Sequence, residues 1–246
     1  MTLPWQTESL RLSVFSSEPI KLSESDWQTL TGQTESDLRQ NIPGGRLYAG
    51  QAFGGQLNLS YAATRADVVL SASNSTSAPA EVTLPVFGTW TETRDVFAKA
   101  VPGWLTSTSF PIVRIAFGAV LLLETKTGED NYRMLEGLLQ SVKVDPRMRD
   151  LIFRVNWPRD SSVKSGLSIN RVTHWSSLRF SLRALELTGD VLRQLSGEND
   201  KHACRLEIDH NTDAENKLPF EKSELAPIFE ELVAFADENA FKGEVP

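Results

Sequence analysis

The sequence predicts an α+β fold, a mostly antiparallel sheet with helices packed on one face. Several segments alternate apolar and polar residues at the period of a half-buried strand, a smaller number recur at helical spacing, and the two kinds are interleaved. Hydrophobic residues make up 40% and charged residues 23% of the 246, which places the chain among globular proteins and excludes disordered and collagenous classes.

In residues 9–15, Leu10, Leu12 and Val14 alternate with Arg11 and Ser13, a strand pattern. Ser23, Glu24, Ser25 and Asp26 offer capping chemistry to a short helix at residues 27–30. Residues 41–55 carry Pro43, Gly44, Gly45, Gly50, Gly54 and Gly55, which predicts a loop or a bulged ribbon. Leu57, Leu59 and Tyr61, a polar turn near Thr64, and residues 68–70 follow as a hairpin. Residues 71–79, rich in Ser, Ala and Asn, are expected as an exposed loop. Residues 91–100 suit a helix that Pro102 and Gly103 end.

The second half opens with residues 110–123, whose β-branched and aromatic content suggests one long strand or two bent at Gly118. Thr127 to Asp130 open a helix with Tyr132, Leu135, Leu138 and Leu139 on one side. Residues 151–157 and 167–182 alternate again, Cys204, Leu206 and Ile208 mark a last strand, and residues 225–241 a last helix. Both halves thus run strand, helix, strands, helix. Two ferredoxin-like lobes, 1–105 and 106–246, would fit, and a single extended sheet is the competing arrangement.

Composition narrows the chemistry. Three histidines and one cysteine cannot build a closed structural zinc site, and Cys204 has no partner for an internal disulfide, in keeping with a reducing cytoplasm. No apolar stretch approaches the roughly 20 residues that span a bilayer, so no membrane association is expected. The Gly-rich segment has no Gly-Lys-Ser/Thr element and reads as a turn rather than a phosphate loop. No Gly-x-Ser-x-Gly elbow occurs, and His174 sits in a strand-like stretch where a structural histidine is the commoner outcome. No catalytic residue, cofactor or bound metal is expected, and an enzyme is the less favoured class. One enzymatic alternative stands: a metal-dependent hydrolase or nuclease using Asp209, His210 and Asp213.

Charge is unevenly spread. Residues 1–139 carry 10 Lys+Arg against 14 Asp+Glu, residues 140–195 carry 10 against 5, and residues 196–246 carry 5 against 13, giving −4, +5 and −8. The basic middle segment holds Arg171, Arg179 and Arg183 with Trp157 and Trp175 among them, residue types that dominate binding energy at interfaces. These five are the expected partner-binding residues, for a protein in preference to nucleic acid, since the whole chain is acidic. The competing reading has the tryptophans in the core and the arginines paired with the acidic C-terminal segment.

The run Leu167-Ser168-Ile169-Asn170-Arg171-Val172, then Leu206 to Asp213, then an acidic helix over 225–235, resembles the closing pattern of a sporadically distributed bacterial protein family without assigned activity. The resemblance covers the C-terminal third only. It implies bacterial origin and a cytoplasmic location, and it carries over no functional residue. The expectation is a non-catalytic protein that binds a macromolecular partner within a small complex.

Overall fold

The computed structural model describes residues 3–20, 25–73, 82–181, 183–188, 191–196 and 200–246, with side chains excepted for 183–188 and 191–196. The element order is β1 (Gln6–Ser16), α1 (Asp26–Thr31), β2 (Leu38–Ile42), β3 (Gly45–Ala52), β4 (Gly55–Ala62), β5 (Arg65–Ser71), α2 (Trp90–Ser107), β6 (Ile112–Thr125), α3 (Gly128–Leu138), β7 (Ile152–Asn156), β8 (Arg159–Asp160), β9 (Ser168–Phe180), β10 (Arg183–Thr188), β11 (Val191–Ser196), β12 (Lys201–Thr212) and α4 (Lys222–Lys242). Ten strands form one antiparallel sheet in the order β2-β3-β4-β5-β1-β6-β12-β9-β7, with β8 also on β9, while β10 and β11 pair as a separate ribbon.

The sheet is a repeated pattern read outward from its middle. On one side of the central β1–β6 pair come β5, β4 and β3; on the other come β12, β9 and β7. Each half closes with a long helix, α2 and α4. Pairing therefore crosses residue 105 without a break, with Arg11 opposite Gly118 and Leu12 opposite Phe117.

Period-two alternation decides which face is covered. Leu10, Leu12 and Val14 of β1, Leu57, Leu59 and Tyr61 of β4, and Cys204, Leu206, Ile208 and His210 of β12 are all buried. The four helices among the described residues lie on that face. Tyr61 donates to Asp26 of α1, Phe117 packs edge-on against Phe229 of α4 with ring centroids 5.9 Å apart, and Cys204 Sγ donates to the Asn131 carbonyl of α3 at 3.2 Å. Phe97 brings α2 into the same cluster at 6.3 Å from Phe117. Aromatic packing of this kind adds to simple burial of apolar area.

The Gly-rich segment, expected as a loop or a bulged ribbon and as a turn rather than a phosphate loop, forms two tight turns of a meander with the strand β3 between them. Phe53 and Gly54 both have positive φ, 55° and 81°, the pair of left-handed residues that a two-residue hairpin turn requires. At Gly45 a Cβ would stand 1.5 Å from the Tyr61 carbonyl oxygen, so only glycine lets β3 lie against β4 there. The sequence expectation for α2 also needs correcting: the helix continues through Pro102 to Ser107, because Val101, Trp104 and Leu105 extend its buried face past the proline. Its start is fixed by a capping box between Thr89 and Glu92. Gly118 does not break the strand that holds it, since β6 is continuous. Most of the expected loop at 71–79 lies outside the described residues.

Candidate binding groove on the open sheet face

The expected partner-binding residues do not form one surface. Alternation along β9 turns Ile169, Arg171, Thr173 and Trp175 toward the helices, and all four are buried. Trp175 packs against Trp5 with centroids 6.3 Å apart, and its Nε1 donates to Thr173 Oγ1 at 3.1 Å. Arg171 lies beneath α4 with its guanidinium 5.0 Å from the Phe235 ring centroid and 3.3 Å from Glu238 Oε2. Burial, then the neighbouring Arg159, lowers its pKa. These two residues therefore leave the set of accessible binding groups. Trp157 is half-buried and donates from Nε1 to Glu244 Oε1 at 3.0 Å. Arg179 is exposed and its Nε donates to Asp200 Oδ2 at 2.6 Å. The Arg183 side chain lies outside the described residues.

Much of the basic middle segment is thus neutralised by the acidic C-terminal one. Arg159 also pairs with Glu238 at 3.2 Å, Lys164 Nζ with Glu224 at 2.8 Å, and Ser161 and Ser162 donate to Glu231. Opposite charges in sequence blocks here report packing of α4 over the β8–β9 region.

The metal alternative fails on geometry. Asp209 and His210 are consecutive in a strand and point to opposite faces. His210 is buried under α4, its Nδ1 3.3 Å from the Leu232 carbonyl oxygen, and burial pushes its pKa down to about 3. Asp209 is on the open face, with Arg11 Nη2 3.9 Å away. Among the described residues no group of three or more His, Cys, Asp or Glu side chains could hold a metal ion.

Asp209 instead lines a groove of about 400 Å³ near the centre of the face that none of the described helices covers. Its floor is β6, where Gly118 and Val120 face outward between larger neighbours. Strand register sets its two main rows. Val69, Arg11, Gly118, Asp209 and Val172 stand opposite one another across five strands, and Ser9, Val120, Glu207, His174 and Arg154 form the next row. His174 Nδ1 lies 3.2 Å from Glu207 Oε1, and Arg205 Nη1 also donates to that oxygen. The carboxylate fixes the ring, so Nδ1 carries a proton and Nε2 is the free nitrogen. That Nε2 is buried without a hydrogen-bond partner, as is Arg11 Nε. Arg154, exposed on β7, has no ion pair among the described residues.

His174 and Glu207 are the pair that sequence reasoning missed. The available signal was the alternation of both strands, which puts His174 and Arg154 on the face opposite Trp175 and Phe153. What the sequence lacked was the pairing of β9 with β12, residues more than thirty positions apart, which alone brings His174 to Glu207.

The fold and the groove define an α+β protein with one helix-covered and one open sheet face. Compared with known proteins, the chain matches no family model and no curated protein. No helix among the described residues is long and apolar enough to cross a membrane.

Proposed function

We propose that this chain is a non-catalytic bacterial protein of the cytoplasm that binds another protein in a small complex, through the open face of its sheet. One observation carries the reading: the four described helices pack on one side, and among the described residues no helix covers the other side of the ten-stranded sheet. Sheets of this kind commonly keep one solvated face. Nine strands on the main path at about 4.8 Å spacing make a face roughly 40 Å wide, ample for the roughly 800 Å² per partner of a stable interface. Several of its charges are paired across or along strands, as in Arg65 with Asp67 at 2.7 Å, Lys201 with Glu124 at 2.5 Å and Arg205 with Glu8 at 3.5 Å. Such a face selects a partner by the pattern of charge rather than by net attraction.

The test is a native pull-down with substitutions that reshape one face at a time. Ser60→Glu combined with Ile152→Glu alters the open face at a half-buried and an exposed position, and Val96→Glu alters the helical face. The double variant is expected to lose the partner that wild type retains, and Val96→Glu to keep it. Retention by the double variant, with folding verified by circular dichroism, would overturn the reading.

A further inference from the structure

Hydrogen-bonding capacity in the groove is one-sided. The acceptors are largely engaged: Glu207 receives Arg205 and His174, and Asp209 stands 3.9 Å from Arg11 and accepts from Asn211 Nδ2 at 3.5 Å. The donors are not. Arg154 has no carboxylate among the described residues, and Arg11 Nε is buried and unpartnered. His174, with Nδ1 committed to Glu207, offers Nε2 as an acceptor when neutral and as a donor when protonated. A buried polar atom left without a partner is costly, so a ligand that reaches Arg11 Nε and His174 Nε2 satisfies both, and Arg154 adds an exposed charge beside them.

A phosphate monoester has the hydrogen-bonding chemistry to engage all three, which line the same groove. Its oxygens accept from two arginine forks, and with a second pKa near 6 it also exists as the monoanion, whose remaining P–O–H can donate to a neutral Nε2. Glu207 and Asp209 oppose an anion, but each carboxylate is paired with an arginine, Glu207 with Arg205 and Asp209 with Arg11. The volume of about 400 Å³ exceeds the needs of a lone anion and falls within the usual range of small-molecule sites. Val69, Val120 and Val172 supply an apolar surface for the remainder of such a ligand.

We propose that the open-face groove binds a small phosphorylated organic molecule, with its phosphate held by Arg11, Arg154 and His174 and its organic part on the β6 floor. This goes beyond partner binding and stands or falls separately from it, because the probes contain no protein. The experiment is a proton NMR titration of the histidine ring signals, three in the chain and therefore resolvable, with inorganic phosphate, adenosine 5′-monophosphate and a 5′-phosphorylated single-stranded oligonucleotide. Expected are a saturable shift of the His174 ring with the nucleotide, a weaker one with inorganic phosphate, and about tenfold weaker nucleotide binding in Arg154→Ala, the loss of one charge-assisted contact. Arg154 is exposed and without an ion pair among the described residues, so this variant is expected to fold. Gly118→Val, which raises the floor beside Arg11, is expected to remove nucleotide binding. No saturable shift with either small probe, or nucleotide affinity unchanged in Arg154→Ala, would overturn the proposal. Binding of the oligonucleotide alone would overturn it in favour of a nucleic-acid site.

Discussion

Glu244 shows how much a single buried side chain can hold. Its carboxylate accepts from Gln140 N and Ser141 N, both at 2.9 Å, from Ser141 Oγ at 2.6 Å and from Trp157 Nε1 at 3.0 Å. Burial alone would push its pKa up, but these donors outweigh it and hold the group below its ordinary value. The C-terminal residues are thereby tied to the α3–β7 connection. Glu244→Ala leaves four donors unmatched, and the expected cost is about 2–4 kcal/mol in a denaturant melt. Because the folded pKa is depressed, this contribution is present above the ordinary value of 4.5 and is lost as pH falls below it. His210 acts in a higher window. Its folded pKa is also depressed, from 6.5 to about 3, so the unfolded chain takes up the proton first and stability declines as pH falls from 6.5 toward 3. His210→Phe, which keeps a ring beneath α4, is expected to flatten the decline between pH 6.5 and 4.5 while leaving the steeper one below it. An unchanged pH profile of the midpoint would count against the buried neutral state.

At the scale of elements, α3 is the clearest case of sequence pattern becoming packing. Tyr132, Leu135 and Leu138 are buried along it, and Leu139 just past its end is buried too. Leu135→Ala is expected to cost on the order of 2–5 kcal/mol, read as a lower denaturation midpoint with an unchanged slope. This helix and the strands with clean alternation were legible because one residue in two, or one turn in two, reports its own burial. The β2–β3 part of the meander, residues 38–52, was not, because Gly45 and Gly54 act through close approach and backbone sign, which look the same in sequence as a loop. Charge blocks misled for a related reason. Arg171 and Trp175 have the chemistry of an interface, but the strand's period assigns them to the core, and only the covering by α4 shows which face is inside. The groove depends on six strands meeting from both halves of the chain, so its floor residue Gly118 could be noticed in the sequence without its meaning.

For the whole molecule, the central β1–β6 ladder is where the two similar halves meet. Trp5 Nε1 reaches across to the Ala240 carbonyl at 2.7 Å, and Arg94 with Trp90 of α2 holds Asp237 of α4. Each half alone would expose a long unpaired strand edge and a broad apolar flank, so neither is expected to be stable by itself. Only one stretch of backbone joins them, between the end of α2 and the start of β6, and Ser109 there is exposed. The covalent link is thus dispensable in a way that the ladder is not. Cut after Ser109, residues 1–109 and 110–246 are expected to aggregate when made apart and to copurify in equal amounts when made together. Failure to copurify would mean that the seam is too weak to act without the tether. Success would make the chain a split protein, whose two pieces report on their own reunion.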